Sequence, residues 1–419
     1  SSRGSAPTPR SIAGTLAPPL PRGPRLLDCP CRESRPPRRV SPPRRTEGDP
    51  PRPLRPVPPL PTTSPIRPFP KLRSGGPPSH RNRVPSPRHL IRLQDLSDTE
   101  LEEILDLSSR LDPRSGRPVL SGRSVGMLFF RGSLRTRASL ESAVHRLGGH
   151  AINLTAMSDF WELEERDGVT MDGRSPEHVR DAAAVLSTYV DALAIRPSAK
   201  MQSWDVDRRD ERISAWARYA TVPVLNMESS LWHPMQALAD LLTMRQRLGS
   251  LAGQELAITW VHSPEPASAA VVHSLLHAAS RFGMRVRIAH PPGFDLDTGV
   301  VREAEEVAAA SGGGIEFSSS MEEAVRGAGI VYARSWQSLE SYGNPTLAAS
   351  HRSRATDWRI TSELLQLGND VGLMHAMPVR RNVEVTDEVL ESDASLLVKQ
   401  AGNRLPAQMA LLMHMLRAH

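Results

Sequence analysis

Apolar and polar positions form a regular pattern from about residue 89 onward, where short apolar runs are separated by longer stretches with apolar residues three to four positions apart. The short runs are typical of buried strands, and the longer stretches are typical of amphipathic helices. We predict helices over residues 176–188, 233–248 and 268–282, among others. Strands are predicted near residues 124–130, 149–154, 190–196, 222–227, 256–261, 285–291, 329–334, 371–376 and 395–399.

Strands that alternate with helices indicate parallel sheets covered by helices on both faces. The predicted fold class is therefore α/β, with two doubly wound parallel-sheet domains. The segment Arg-Leu-Gly-Ser-Leu-Ala-Gly at 247–253 is the predicted boundary, giving domains over residues 89–248 and 249–419. Because ligands of open parallel sheets bind beyond the carboxyl ends of the strands, we expect the active site in the cleft between the domains.

The N-terminal stretch has a different composition. Residues 1–90 contain 25 of the 38 prolines, 18 basic residues and 4 acidic ones, so they carry a formal charge of +14 and leave −8 for the remainder. The basic character of the chain therefore does not indicate nucleic-acid binding by its globular part. We predict a disordered Pro/Arg-rich tail over residues 1–88. An inert or artefactual extension, a targeting segment, and binding to RNA or acidic surfaces all remain open for it.

Both cysteines, Cys29 and Cys31, lie in this tail. A disulfide scaffold, a cysteine-ligated zinc site and a thiol nucleophile are therefore excluded for residues 89–419. No apolar stretch reaches 18 residues, so we expect no membrane span, and we predict a cytoplasmic protein without a metal site.

The run from Phe130 to Arg137 sets arginines and hydroxyls at the start of a helix. It follows the predicted strand 124–130, and the helical pattern after it places Ser133 at or near the N-cap. A helix N-terminus presents free N–H groups to anions, and Arg135 and Arg137 add donors suited to phosphate or carboxylate oxygens. The alternative is a surface arginine pair that only solvates the helix.

Further polar residues follow other predicted strands. His233 and Gln236 begin a helix with Pro234 between them, although they could serve only as a cap. Glu228, near the end of strand 222–227, is either a carboxylate for a substrate amine or an ordinary loop acid. We predict that Arg404 ends a strand before the final helix. Several strands that end in Arg or His, including Arg196 and the cluster at 375–382, indicate a site for anionic oxygens.

Three motifs, Ser-Leu-Arg-Thr-Arg at 133–137, His-Pro-Met-Gln at 233–236 and His-Ala-Met-Pro at 375–378, resemble those of the aspartate/ornithine carbamoyltransferase family in order and spacing. The resemblance covers about residues 89–417. Within the family, the segments at 161–164, 171–173, 226–228 and 332–336 are similar to the branch that acts on N-acylated ornithine. The Ser-Met-Gly loop with which ordinary ornithine enzymes bind a free α-amino group is absent.

The resemblance implies which residues bind carbamoyl phosphate. Its phosphate would be held by Ser133, the Leu134 N–H, Arg135, Thr136 and Arg196, with Trp161 reaching in from a neighbouring subunit. His233, Gln236 and Arg404 would hold the carbamoyl group, together with the backbone at Ala376 and Met377. Arg135, Arg196, His233, Gln236 and Arg404 would be the catalytic residues. No cofactor is implied.

The acyl group of the amine substrate is predicted from one position. Acetylornithine enzymes look like Met-Asp-Gly-x-x-Glu-x-His, whereas succinylornithine enzymes resemble Met-Asp-Gly-x-x-Pro-Glu-His, and this chain has Pro176 there. Removal of a carboxylate opens space for an acidic acyl group, so N-succinyl-L-ornithine is the predicted substrate and N-acetyl-L-ornithine the alternative. Pro176 could instead be only the first residue of a helix capped by Ser175. Residues predicted to bind the acylornithine are Pro176, Glu228, His262, Arg334 and Met377.

Ala376 and Met377 replace a family Cys-Leu, and Arg334 replaces a family lysine. A pseudoenzyme that binds carbamoyl phosphate without turnover is therefore a second hypothesis, and nucleic-acid binding through the tail is a third. The enzyme hypothesis predicts a homotrimer without a cofactor, in which the last helix, about residues 406–416, packs back on the first domain.

Overall fold

A computed structural model describes residues 87–265 and 267–417. The predicted tail and both cysteines therefore lie outside the described residues. The first half has a 3-10 helix, Leu93–Asp95, and then α1 Asp98–Arg110, β1 Ser124–Phe129, α2 Leu134–Arg146, β2 His150–Thr155, β3 Leu163–Glu164, β4 Glu177–His178, α3 Val179–Leu186, β5 Ala192–Arg196, α4 Trp204–Asp207, α5 Glu211–Tyr219, β6 Val224–Asn226 and α6 Pro234–Leu248.

The second half continues the alternation of strands and helices. Its elements are β7 Glu255–Trp260, α7 Ala270–Arg281, β8 Arg285–Ala289, α8 Thr298–Ser311, β9 Gly314–Ser318, α9 Met321–Val325, β10 Ile330–Arg334, α10 Pro345–Ser353, α11 Ser362–Leu365, β11 Gly372–Met374, α12 Asp387–Leu390 and α13 Leu397–Met415. Strand β9 was not predicted, because its short sequence between glycines and serines lacks a continuous apolar run.

Two larger parallel sheets, besides the two-stranded pair β3-β4, organise the described residues, which confirms the predicted α/β class. The first sheet has the strand order β2-β1-β5-β6, and the second has the order β11-β10-β7-β8-β9. In each sheet the chain adds strands on one side of its first strand and then crosses to the other side. The crossing points, between β1 and β5 and between β7 and β10, are where loops diverge and leave a crevice for ligands.

Apolar residues of β1 and β5 explain why these strands lie in the centre of their sheet. Val125, Met127 and Phe129 are fully buried, as are Ala192 and Ile195. A parallel strand that is covered on both faces needs apolar residues at successive positions rather than an alternating pattern.

Helix α13 corrects two predictions. The apolar run at 395–399 is not a strand, since Leu397 already begins the helix, and Val398 is 80% exposed, which a central strand would not allow. Arg404 therefore lies within a helix rather than at a strand end. Pro406 is also inside this helix, although prolines usually end one. Packing of α13 against α1, α2 and α6 stabilises it despite the proline, and the last helix does contact the first domain.

Polar contacts also join the two halves away from the cleft. The Asp297 carboxylate caps α8 and accepts hydrogen bonds from Trp204 Nε1 at 2.8 Å and from Arg208 Nε at 2.8 Å. The Tyr342 hydroxyl donates to Asp207 Oδ2 at 2.7 Å. These bonds hold the second domain against α4 of the first.

Candidate active site

A cavity of about 340 Å³ lies beyond the carboxyl ends of both sheets, at their crossing points. The first domain lines it with the loop after β1, the end of β5, and the segment between β6 and α6. The second domain contributes residues after β7, β10 and β11, and α13 adds one arginine. The lining residues are Arg131, Gly132, Ser133, Leu134, Arg135, Thr136, Arg196, Glu228, His233, Gln236, Ala267, Ser268, Val271, Arg334, Ala376, Met377, Pro378 and Arg404.

The loop between β1 and α2 forms one wall of the cavity. Ser133 is the N-cap of α2, as predicted, and its hydroxyl accepts a hydrogen bond from the Thr136 N–H at 3.3 Å. Arg135 faces the cavity, where burial and the neighbouring Arg334 lower its pKa. Arg137 does not, because its guanidinium lies 4.3 Å over the Phe129 ring. The prediction that both arginines of the motif serve the anion site is therefore wrong for Arg137.

The Thr136 hydroxyl of α2 accepts hydrogen bonds from side chains of two other elements. It accepts hydrogen bonds from Arg404 Nη2 at 2.9 Å and from Arg196 Nη1 at 3.3 Å. Arg404 Nη1 donates to Gln236 Oε1 at 2.9 Å. Helix α13, strand β5 and helices α2 and α6 therefore bring one hydroxyl, one amide and two guanidiniums together.

Burial lowers the pKa of these arginines but does not remove their charge. Desolvation, and secondarily repulsion from Arg196, lowers the pKa of Arg404 to about 10, so its guanidinium is still a cation at neutral pH. Desolvation also lowers the pKa of Arg196, against the opposing effect of Glu228. Fixed cations in a partly dehydrated cavity attract anions more strongly than they would in water.

Glu228 balances part of this charge. Its carboxylate contacts Arg196 Nη2 at 2.6 Å and Arg131 Nη2 at 3.1 Å. Burial alone would raise the pKa of Glu228, but these arginines outweigh burial and hold the pKa well below its ordinary value. The Glu228 carboxylate is therefore ionised near neutral pH and forms ion pairs with both arginines.

His233 is buried beside this ion pair, at the N-cap of α6. Its Nε2 lies 3.9 Å from Glu228 Oε2, and its backbone N–H donates to Ser274 Oγ at 2.7 Å. Desolvation lowers its pKa well below the ordinary value, with a further contribution from Arg404, although Glu228 opposes the shift. A neutral imidazole can donate one hydrogen bond, which suits it to polarise a carbonyl oxygen.

The second domain supplies the opposite wall. Arg334 ends β10 and donates a hydrogen bond to the Ala376 carbonyl, next to Met377. Behind this wall, His375 Nε2 lies 3.2 Å from Glu384 Oε2. Burial, only partly opposed by Glu384, lowers the pKa of His375. The wall therefore places one cation and a backbone turn at the cavity.

Three predicted site residues do not line this cavity. Trp161 is 55% exposed, and its Nε1 donates to Glu177 Oε2 at 2.9 Å. Pro176 is exposed on the same loop, and it does not begin a helix, because α3 begins at Val179 with His178 as its N-cap. His262 follows β7, and its backbone N–H donates to the Trp358 carbonyl at 2.7 Å. Because these three residues do not line the cavity, its geometry does not assign them a contact with a ligand.

Residues that the sequence analysis did not single out also contribute. Arg131 lines the cavity and pairs with Glu228, and its place two residues after the end of β1 was an available signal. Ser268 lines the cavity from the loop before α7. Asp240 lies behind Gln236, one turn farther along α6. Its two other hydrogen-bond partners, Tyr332 and Gln400, come from distant parts of the chain, so local sequence patterns did not indicate these contacts.

Fold and site define a two-domain α/β protein with a cavity between its sheets whose arginines suit an anionic ligand. Within that class, family models described as the carbamoyl-P binding and the Asp/Orn binding domains of aspartate/ornithine carbamoyltransferase match residues 88–246 and 254–415. The chain belongs to the aspartate/ornithine carbamoyltransferase family.

Individual relatives support this assignment. N-acetylornithine carbamoyltransferase of Xanthomonas campestris pv. campestris is 35% identical over 78% of this chain and 96% of its own length. Ornithine carbamoyltransferase of Parafrankia sp. is 37% identical over 78% of this chain and 96% of its own. A crystal structure of acetylornithine transcarbamylase complexed with acetylcitrulline has a TM-score of 0.76 at 35% identity, covering 78% of this chain and 98% of that one.

None of the helices in residues 87–265 and 267–417 has both the length and the hydrophobicity that crossing a bilayer requires. The cytoplasmic location and the homotrimer stay predictions.

Proposed function

We propose that the enzyme transfers the carbamoyl group of carbamoyl phosphate to the δ-amine of N-succinyl-L-ornithine, giving N-succinyl-L-citrulline and phosphate, a step of arginine biosynthesis. Membership of the carbamoyltransferase family supports the reaction type. The observation that carries this proposal concerns the polar side chains of one cavity. Four of them converge beside its other arginines, namely Thr136, His233, Gln236 and Arg404.

The phosphate is proposed to lie at the start of α2. Ser133, the Leu134 N–H, Arg135 and Thr136 would contact its oxygens, and Arg196 would approach from the end of β5. Free N–H groups of a helix N-terminus and fork-shaped guanidinium donors both favour a dianion. Binding would free Glu228 from its arginines, since the phosphate takes its place as the counter-ion.

The carbamoyl group is proposed to lie between Thr136, His233 and Arg404. Donors that meet at its carbonyl oxygen would stabilise the tetrahedral oxyanion, and each is expected to contribute roughly 10²–10³ in rate. The Gln236 amide oxygen and the backbone near Ala376 and Met377 would accept from the carbamoyl amino group. Replacement of the family thiol is therefore compatible with catalysis, because a backbone carbonyl does not depend on the side chain.

The nucleophile is the neutral δ-amine. It forms the new C–N bond at the carbamoyl carbon, which gives the tetrahedral oxyanion. The C–O bond to phosphate then breaks as the carbonyl re-forms, and the proton that the amine loses ends on phosphate. Because an alkyl ammonium has an ordinary pKa near 10.4, the rate is expected to rise with pH through the neutral range. Glu228, Arg334, Met377 and His262 are proposed to contact the acylornithine.

Pro176 supports the succinyl group. Two crystal structures of N-acetyl-L-ornithine transcarbamylase, in which one glutamate is replaced by alanine or by proline, are complexes with carbamyl phosphate and N-succinyl-L-norvaline. In that protein, a succinylated ligand is thus compatible with a proline in place of that glutamate. By the sequence resemblance, Pro176 stands where acetylornithine enzymes have a glutamate, so we assign it the same permissive effect.

The position of Pro176 supports a proposed homotrimer. Pro176 and Trp161 are both exposed and lie outside the cavity of their own chain, and the hydrogen bond from Trp161 to Glu177 links their parts of the loop. An exposed tryptophan beside a substrate-selecting residue is accounted for if the loop reaches the cavity of a neighbouring subunit. Mixed trimers of Trp161→Ala and Arg135→Gln chains should then regain activity that neither variant has alone. No regain in verified mixed trimers would contradict shared sites.

N-acetyl-L-ornithine is the second candidate substrate. The observation in its favour is that relatives matched over 78% of this chain, from Xanthomonas and Xylella, are named N-acetylornithine carbamoyltransferases.

The test is carbamoyl-phosphate-dependent ureido formation by the full chain with N-succinyl-L-ornithine, N-acetyl-L-ornithine, L-ornithine and L-aspartate in parallel. The proposal expects preference for the succinyl compound, and a shift toward the acetyl compound in Pro176→Glu. Pro176→Ala is the matched control, because it removes the ring without adding a carboxylate and should keep the succinyl preference. Preference of the unmodified enzyme for N-acetyl-L-ornithine would refute the acyl assignment alone. Carbamoyl phosphate binding without turnover of any amine would favour the pseudoenzyme hypothesis.

A further inference from the structure

A buried carboxylate lies directly behind the cavity and does not itself line it. Asp240 is fully buried on α6, one turn after Gln236. Its Oδ1 accepts hydrogen bonds from Gln236 Nε2 at 2.8 Å and from Gln400 Nε2 at 2.7 Å, and its Oδ2 accepts one from the Tyr332 hydroxyl at 2.9 Å. Nothing assigned above to the reaction requires this carboxylate.

The chemistry of its neighbours fixes one orientation of the Gln236 amide. A carboxylate only accepts hydrogen bonds and a guanidinium only donates them. Gln236 lies between Asp240 and Arg404, so both contacts can form only if its nitrogen faces Asp240 and its oxygen faces Arg404. This conclusion follows from donor and acceptor types, and it does not depend on telling amide oxygen from nitrogen by position.

The orientation matters at the cavity. The Gln236 oxygen accepts from Arg404 Nη1 at 2.9 Å, and the other terminal nitrogen of Arg404 donates to Thr136 Oγ1 at 2.9 Å. A flipped Gln236 amide would present N–H groups to a guanidinium that needs an acceptor. Arg404 would then lose one of the two contacts that hold its plane, and the cavity would lose an acceptor for an amino group.

We propose that Asp240 is a positioning residue for carbamoyl transfer, which fixes the amide orientation of Gln236 and, through it, the guanidinium of Arg404. This inference rests on the proposed role of Gln236 and Arg404 in holding the carbamoyl group. Burial, only partly opposed by its three hydrogen bonds, raises the pKa of Asp240 to about 6. Near pH 8 the group is therefore a carboxylate and an acceptor on both oxygens.

Three substitutions separate positioning from packing. Asp240→Leu has a similar size and no acceptor, and it is expected to lower kcat on the order of 10²-fold. Asp240→Asn keeps an oxygen for Gln236 and is expected to lose less than about 10-fold. Tyr332→Phe is the matched control, because it removes one hydrogen bond from the same carboxylate but leaves the bond to Gln236. Its kcat should stay within about threefold of that of the unmodified enzyme. A loss in Tyr332→Phe as large as in Asp240→Leu would overturn the inference.

A double-mutant cycle with Gln236→Ala tests the route of the effect. The full chain is assayed at pH 8 with saturating carbamoyl phosphate and the acylornithine that the unmodified enzyme prefers, and rates are divided by the folded fraction from thermal unfolding. If Asp240 acts through Gln236, Asp240→Leu should change kcat by less than about threefold once Gln236 is absent. Multiplicative losses would mean a general structural role and would overturn the inference. Should Asp240→Leu fail to fold, Asp240→Ser takes its place in the cycle.

Failure of the proposed function gives different results. An unchanged kcat in Gln236→Ala would refute the role of Gln236 and this inference together. No ureido formation by the unmodified enzyme from any acylated ornithine would refute the proposed reaction, and with it the need for positioning. Additivity in the cycle, with normal activity in the unmodified enzyme, refutes only the role of Asp240.

Discussion

Arg135 and Arg137 lie two residues apart in one motif and on one helix, yet they face different environments. Arg135 lines the cavity, whereas Arg137 stacks on the Phe129 ring and donates to Thr155 Oγ1 at 2.8 Å. The same substitution to glutamine at each position therefore tests whether the structure places the phosphate site correctly. The two variants have the same new side chain, lie in the first turn of α2 and each lose one positive charge.

The expected magnitudes differ in kind. Arg135→Gln removes a charged, fork-shaped donor from the proposed phosphate site, so kcat/KM for carbamoyl phosphate should fall by about 10²–10³. Arg137→Gln removes one hydrogen bond and one cation–π contact, and it should lower the free energy of unfolding by about 1–2 kcal/mol. Its kcat/KM should stay within about threefold, since no group in the cavity changes.

Initial rates of ureido formation at varied carbamoyl phosphate give kcat/KM, and urea denaturation gives the stability of each variant. The reasoning would be refuted if the two variants lost similar activity, or if Arg137→Gln lost more. Equal losses would indicate that net charge near the helix N-terminus, rather than contact with the substrate, determines affinity.

Three further predictions concern stability. Glu228→Gln leaves the buried Arg196 without its counter-ion at 2.6 Å, so the free energy of unfolding at neutral pH should fall by about 3 kcal/mol; added phosphate should restore much of the lost melting temperature, and an unchanged Tm without phosphate would contradict the ion pair. Burial lowers the pKa of His273 to about 4, so between about pH 6.5 and 4 the unfolded chain binds more protons at this residue than the folded one. The contribution of His273 to the free energy of unfolding is therefore complete above this window and should fall by roughly 3 kcal/mol as the pH drops through it. His273→Gln should flatten that dependence in urea titrations, and an unaltered slope would argue against the shift. Arg208→Gln loses two hydrogen bonds to Asp297, at 2.8 and 2.9 Å, and should cost about 1–2 kcal/mol in thermal unfolding. Arg209→Gln is its control, because Arg209 forms an exposed ion pair with Glu211 at 3.8 Å, and its loss should cost less than about 0.5 kcal/mol; equal losses would contradict the role of Asp297.

Local sequence determined much of the fold and one wall of the site. The apolar run before Gly132 and the helical pattern after Ser133 define β1, the loop and α2, because strand, N-cap and helix signals all lie within about twenty residues. Arg196 at the end of β5 and His233 at the start of α6 were likewise indicated by local strand and helix patterns. Since parallel strands point their carboxyl ends to one edge, these side chains meet wherever such a sheet forms.

Side-chain direction was not determined locally. Arg135 and Arg137 are chemically identical, and only the packing of α2 beside Phe129 decides which of them reaches the cavity. Asp240 was missed for a related reason. Its hydrogen bonds with Tyr332 and Gln400 join residues that are distant in sequence and that meet α6 only in the tertiary structure.

Helix α13 shows most clearly which features could not be predicted from the sequence. The sequence by itself determined two parallel-sheet domains and the strand, N-cap and arginines at the start of α2, since their signals are local periodicity and capping. The apolar run beginning at Leu396 fits a strand or a helix equally well, and Gly402 and Pro406 favour an interruption. Only the tertiary structure decided for a continuous helix, because burial against α1, α2 and α6 outweighs these local preferences. That packing also carries Arg404 to Thr136 and Gln236, so the most distant residue of the site is placed by the fold and not by its own surroundings in the chain.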